Sequence, residues 1–276
     1  MYHYAGTMSS PAPAIHDPAH WDSVSTNYAA EADRMTGRYA QAAWELAALP
    51  KGARVLDVAT GAGALLVAAL RDGADATGID FSPGMVAIAQ SRAAEITPGQ
   101  RALVMDGQRL DFPAASFDAA FSIFGVFMFP DPAAGFAEMA RVLCPDGLAV
   151  VSVWENAGGA GPAQLFARAA QRLFPDQPVP LPIARLFNAP ELLDAAFVEA
   201  GLHPEAVHRV SYTWPAPPVD WFREHAKLAY GWSPVWQLLD EAQRTAFAEE
   251  AAVLAADLPP EGISSTALVG IARKAG

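Results

Sequence analysis

Asp57, Asp80 and Asp106 each sit within or just after a short apolar run, and the glycine turn Ala59-Thr60-Gly61-Ala62-Gly63 lies between the first two. Glycines in such a turn permit backbone angles and close approaches that a Cβ would block. Asp80 ends the run Ala76-Thr77-Gly78-Ile79, and a strand, glycine turn, helix, strand and terminal acid make a unit that holds a nucleoside at the strand ends. Asp106, followed by Gly107, can accept a hydrogen bond from an exocyclic adenine amine while Gly107 lets backbone approach; it can equally cap a turn. Asp57 stands four residues before Gly61, where its charge would repel a pyrophosphate but suits an ammonium or a water bridging to one. The dinucleotide fingerprint also needs a glycine at position 66, which is Leu66.

The elements that must position these acids are legible as patterns. Val55 to Val58 reads as a buried parallel strand and Ala64 to Leu70 as the helix after the turn. Ser82 is a good N-cap and Pro83 fits the first helical position, so a helix runs from there to Glu95 with Met85, Ile88 and Ala89 on one face. Further strands are expected at Arg101–Met105, Phe117–Ile123, Leu148–Trp154 (after a turn at Pro145-Asp146-Gly147), Ala206–Trp214 and Thr266–Ala272. Asp131-Pro132 caps a helix carrying Phe136, Met139, Ala140 and Leu143, Asn188 can cap a helix over 190–200, and Asp240 caps a long helix. Ahead of all these, Trp21 to Leu49 is helical, with Tyr28, Met35, Tyr39, Ala42 and Leu46 on one face.

D-V-A-T-G-A-G resembles motif I of the class I S-adenosylmethionine-dependent methyltransferases. The continuation D-x-S-x-x-M and the later S-F-D-A-A-F and R-V-L-C-P-D-G-L extend the resemblance across about residues 51 to 154. D-W-F-R-E and the closing A-L-V-G-I-A-R-K look like the ubiquinone/menaquinone-biosynthesis-like group. The resemblance implies an α/β, Rossmann-like fold with a seven-stranded, mostly parallel sheet whose last strand is antiparallel. It implies S-adenosyl-L-methionine as cofactor, Asp80 on its ribose, Phe81 and Met85 against adenine, and Phe124 beside the sulfonium. Tyr28 would cover the cofactor from the amino-terminal helix. With Asp57, Ala59, Gly61, Gly63, Asp106 and Gly107 these make the expected binding set. Each apolar member also has a plain packing alternative.

The expected organisation is a flexible tail (1–16), an amino-terminal helical lid (17–50), a cofactor-binding core (51–154) and the remainder of the sheet (155–276). That remainder carries a helical substrate lid at about 155–187 and 215–262, rich in Trp221, Phe222, Tyr230, Trp232 and Trp236. Such aromatics could wall a pocket for a flat apolar acceptor or form a satellite core. The net charge of -12 argues against nucleic acid. No apolar run approaches the ~20 residues of a membrane helix, the amino end has no signal-peptide pattern, and Cys144 is the only cysteine. A cytoplasmic enzyme acting on a small acceptor, as monomer or homodimer, is the expectation. Methyl transfer needs a base only if the acceptor keeps its proton. His225, on the expected lid, leads for that role, with His20 second; His16, His203, His208, Glu155, Glu224 and Tyr230 are weaker candidates. Asp131 lacks companions for a metal site, so none is expected. An NAD-dependent oxidoreductase and a non-methylating S-adenosylmethionine-binding member are the rival readings.

Overall fold

The computed structural model describes residues 14–30, 32–155, 161, 163–173, 187–230, 236 and 239–276. Seven strands form one sheet in the order β3-β2-β1-β4-β5-β7-β6. They are β1 (Arg54–Val58), β2 (Asp75–Asp80), β3 (Ala102–Val104), β4 (Phe117–Ile123), β5 (Leu143–Trp154), β6 (Leu202–Trp214) and β7 (Ile263–Lys274). β1 pairs in parallel with β2 and β4, β2 with β3, and β4 with β5, while β7 runs antiparallel between β5 and β6. The chain order reverses between β1 and β4, so their carboxyl ends diverge into the crevice where open α/β sheets bind ligands.

Alternation along the strands explains the two-sided core. Val55 faces a layer made by α2 (Ala32–Ala47), α3 (Ala64–Arg71) and α4 (Pro83–Ala94), through Trp44, Leu65, Leu66 and Ala89. Its neighbours Leu56 and Val58 face the opposite layer, where Phe136 and Met139 of α5 (Pro132–Val142) meet Leu193 and Phe197 of α7 (Pro190–Glu199). Strands buried on both faces read as unbroken apolar runs, as β1, β4 and β5 do.

The local signals hold at most junctions. Ser82 caps α4 through Met85 N at 3.1 Å, Asp131 caps α5 through Ala134 N at 3.2 Å, and Asp240 makes a reciprocal capping box with Gln243 at the start of α9 (Glu241–Ala256). Four expectations need correction. The amino-terminal run is two helices, α1 (Pro18–Ala30) and α2, and the buried face of α2 is Tyr39, Ala40, Ala43, Trp44 and Ala47, with Ala42 and Leu46 only flanking it. Ala189, not Asn188, is the N-cap of α7, without a side-chain bond. β5 begins at Leu143: Pro145-Asp146-Gly147 is an irregularity inside the strand, with Asp146 at φ 64, rather than a turn before it. The tail is not featureless to residue 16, because Ala14–His16 form a 3-10 turn with Ile15 buried.

Between β6 and β7 the insertion carries α8 (Val219–Tyr230) and α9. With α6 (Ala163–Leu173) they build a separate apolar cluster around Phe166, Phe222, Trp236 and Phe247. The four prolines between 175 and 182, Trp232 and the side chain of Tyr230 lie outside the described residues.

Candidate cofactor cleft

The cleft opens at the carboxyl ends of β1, β2 and β4. Asp80, the last residue of β2, is 6% exposed, with Oδ2 accepting from Gly61 N at 2.9 Å and Oδ1 from Ser82 N at 3.0 Å. Burial dominates and pushes its carboxyl up to about 6, against the pull of the Ser82 and Gly61 amides. Gly61 and Ser82 each donate to one oxygen and the Phe81 amide adds to their pull, which leaves lone pairs on the carboxylate for further donors.

Asp57 has a structural job in the turn. Its Oδ2 accepts from Thr60 Oγ1 at 2.5 Å and from Leu66 N at 3.1 Å, so this buried acid ties the glycine turn to the first turn of α3. Together with Tyr28, Thr36 and Gly61 it also borders a small cavity of about 30 Å³ beside the turn. Gly61, at φ 55, lies in that wall, and a Cβ there would stand 3.7 Å from the Tyr28 ring. Gly63 serves packing instead: it is the N-cap of α3 at φ 88, and Ala89 of α4 would lie 3.0 Å from an added Cβ.

Ala59 and Phe124, both non-glycine, adopt left-handed φ values of 58. Such conformations cost on the order of 1 kcal/mol or more and persist where neighbours over-determine them. Here Ser122 Oγ donates to Val58 O at 3.0 Å and accepts from Val126 N at 2.9 Å, locking the ends of β1 and β4 together. Gly125 makes the junction feasible, because a Cβ there would meet that of Ala59 at 2.5 Å. Phe124 consequently lies flat on Trp154, ring centroids 3.8 Å apart at 9°, with Tyr39 edge-on to both.

The main cleft encloses about 90 Å³ and gathers Tyr28, Ala59, Gly61, Asp80, Phe81, Met85, Asp106, Gly107 and Phe124 of the expected set. Asp106 is exposed and its Oδ1 accepts from the amide and side chain of Gln108, so the turn-capping role is real. Gly107 makes room for Phe129, whose Cζ would lie 2.5 Å from an added Cβ. Of the apolar exit from β4, Phe124, Met128 and Phe129 line the cleft, while Val126 and Phe127 are in the core.

The histidine expectations fare less well. His225 lies on α8 with its ring stacked on Trp221 at 5.1 Å and Nδ1 3.1 Å from Trp221 O; it does not line the cleft. His20 packs edge-on to Trp21 and burial lowers its pKa; it too is absent from the cleft wall. Glu155 is paired with Arg209 at 2.6 Å. Phe222 and Trp236 point into the satellite cluster rather than toward an acceptor. Among the described residues no three His, Cys, Asp or Glu side chains group as metal ligands, and no helix is long and apolar enough to cross a membrane.

One contributor was missed, and another stood only among the weaker base candidates. Asp22 on α1 accepts from Ser82 Oγ at 2.5 Å and Gly84 N at 2.7 Å, docking α1 on the amino end of α4 beside Asp80. The Ser82 hydroxyl and Gly84 amide hold the Asp22 carboxyl below its usual range. The signal was the D-x-S-x-G spacing after β2, which leaves amides at a helix start without naming what caps them. The other is His16, which lines the cleft with Ile15 and Trp21.

Residues 56–151 match the family model described as a methyltransferase domain. A demethylmenaquinone methyltransferase of Thermus thermophilus is 39% identical over 116 residues, spanning 41% of this chain and 53% of that protein. A phosphatidylethanolamine N-methyltransferase of Cereibacter sphaeroides is 37% identical over 124 residues, spanning 44% and 60%. The chain thus matches a little over half the length of these curated relatives. A solved Bacillus halodurans structure, a candidate methyltransferase, superposes with TM-score 0.58 at 17% identity, over 86% of this chain and 99% of that one, which shows the shared fold. Residues 56–151 of this chain are thus similar to a methyltransferase domain, on a fold shared with solved methyltransferase-like structures. The resemblance to the ubiquinone/menaquinone-biosynthesis-like group rests on relatives such as the demethylmenaquinone methyltransferase, matched over 53% of its length.

Proposed function

We propose that the protein binds S-adenosyl-L-methionine and transfers its methyl group to a small, apolar, aromatic acceptor by in-line displacement. The observation that carries this is Asp80: a buried carboxylate at the switch point, oriented by two backbone amides, with lone pairs left for a pair of ribose hydroxyls. The bound cofactor would supply an activated methyl group. Asp57 and Thr60 hold the glycine turn in shape, Phe81 and Met85 offer apolar surface for adenine, and Tyr28 covers Gly61. Phe124, Met128 and Phe129 exclude water from the place where acceptor and methyl carbon must align. Alignment in a dry site can supply several kcal/mol of rate enhancement without a fixed base.

The relative named for demethylmenaquinone supports a quinol-like acceptor, and the aromatic wall of Phe124 and Phe129 suits a flat ring. The test is incubation with methyl-tritiated S-adenosylmethionine and a short-chain demethylmenaquinol, read by label in the organic phase and by mass spectrometry for a gain of one methylene. Label that never leaves the cofactor across a panel of flat apolar acceptors would sink the transferase reading.

A further inference from the structure

We infer that His16 is a cofactor-contacting residue: the turn Ala14–His16 forms an outer wall of the cleft, and His16 Nε2 pairs with the nucleoside part of S-adenosylmethionine. The inference rests on the cofactor assignment above and adds to it a residue that lies ahead of the matched domain, residues 56–151. Its first support is position, since His16 borders the same cleft as Asp80, Phe81 and Met85. The second is an unmet demand: His16 Nε2 is buried and has no hydrogen-bond partner among the described residues. A buried imidazole nitrogen without a partner is costly, and a ligand placed against it in the cleft would recover that cost.

The third support is that the turn is held in place. Ile15 is buried, its carbonyl accepts from Trp21 Nε1 at 2.9 Å, and Trp21 in turn meets the Tyr28 ring edge-on at 6.0 Å. One residue on, Asp22 fixes the helix against Ser82 and Gly84. These ties place the start of α1 against the amino end of α4, next to the ribose acid and Met85. That is the nucleoside side of the cleft. His20 Nε2 is likewise buried and unpartnered, but His20 does not border the cleft, so the inference is confined to His16.

The experiment is calorimetric titration of the full chain with S-adenosylhomocysteine, for wild type and for His16→Leu and His16→Gln, with adenosine as a competing probe. Loss of one neutral hydrogen bond should weaken binding about threefold to tenfold in His16→Leu. His16→Gln, whose amide can donate to or accept from the same partner, should recover most of it, and adenosine should lose the same factor. Wild-type binding with an unchanged His16→Leu affinity overturns the inference alone. So does an adenosine affinity indifferent to both variants. Failure of wild type to bind S-adenosylhomocysteine overturns the cofactor assignment, and the inference with it.

Discussion

Asp80 faces opposing demands: burial favours its protonated form, whereas a ribose hydroxyl donating to it favours the carboxylate. Cofactor binding must therefore lower its pKa from the value of about 6 in the free protein. The sign follows. Below that pH binding has to expel a proton, so S-adenosylhomocysteine affinity should rise with pH up to about 6 and then level off, with proton release near the midpoint. Titration in buffers of different ionisation enthalpy measures that release. Asp80→Asn should flatten the profile and weaken binding by about 1.5–3 kcal/mol, as for a charge-assisted bond; a profile unchanged in this variant would count against the ribose role. For the fold the linkage runs the other way: the free protein should lose stability as pH rises from about 4 to about 6 and stay level above. Asp80 and Gly61 were legible because their geometry is set within one strand–turn–helix unit. Asp57 was legible as a residue but not as a role, because its bond to Leu66 N depends on how the turn closes. Asp22 was not legible as a site residue, since it acts across 60 positions of sequence, and His16 was legible only as a weak base candidate, since it borders a cleft built by later strands.

At the scale of elements, α1 supplies one wall of the cleft through Trp21 and Tyr28. The cleft encloses about 90 Å³ with α1 in this position, well below the ~300 Å³ at which ligand pockets usually begin, and we propose that cofactor entry shifts that wall. Two clasps restrain it: Asp22 at the start of α4, and Arg92, which donates to Ala29 O at 3.3 Å and Ala62 O at 2.9 Å. Gly84 is where α1 touches α4 most closely, with Asp22 Oδ1 and Ser25 Oγ each 3.0 Å from an added Cβ. Asp22→Ala and Gly84→Val should each loosen the wall, raising amide exchange across 18–30 and accelerating dissociation of S-adenosylhomocysteine severalfold. Bound cofactor should restore protection in wild type. Identical exchange with and without ligand would reduce α1 to packing. Sequence periodicity found this helical region but merged α1 with α2 and misphased the buried face. Tyr39 turns inward to donate to Ser265 O at 2.9 Å, 226 positions away, and no local pattern encodes that partner. Asn188 failed as a cap for the related reason that a good capping type one residue early looks the same in sequence.

Across the whole molecule the division of labour is sharper than an acceptor lid would require. The sheet and its two helical layers present the cleft, whereas α6, α8 and α9 bury Phe166, Phe222 and Phe247 completely in a core of their own. The insertion between β6 and β7 was legible, because two strand patterns flank a helical stretch and pair as an antiparallel couple. Its purpose was not, since aromatic residues at helical spacing serve a pocket and a core equally well. Phe222 decides between these. Its ring meets Phe166 at 5.6 Å and Trp221 edge-on at 5.2 Å, and none of it is exposed. Phe222→Ala should cost about 3–5 kcal/mol through lost contact and a residual cavity. Thermal and urea unfolding should move accordingly, while the folded protein keeps its S-adenosylhomocysteine affinity within a factor of about three, because the described residues that line the cleft and those that build this core are different sets. Methyl transfer by the folded fraction should also be retained. A variant of normal stability with altered acceptor turnover would instead make Phe222 part of the acceptor wall, and the entry for the acceptor would then lie under α8 rather than beside Phe124 and Phe129.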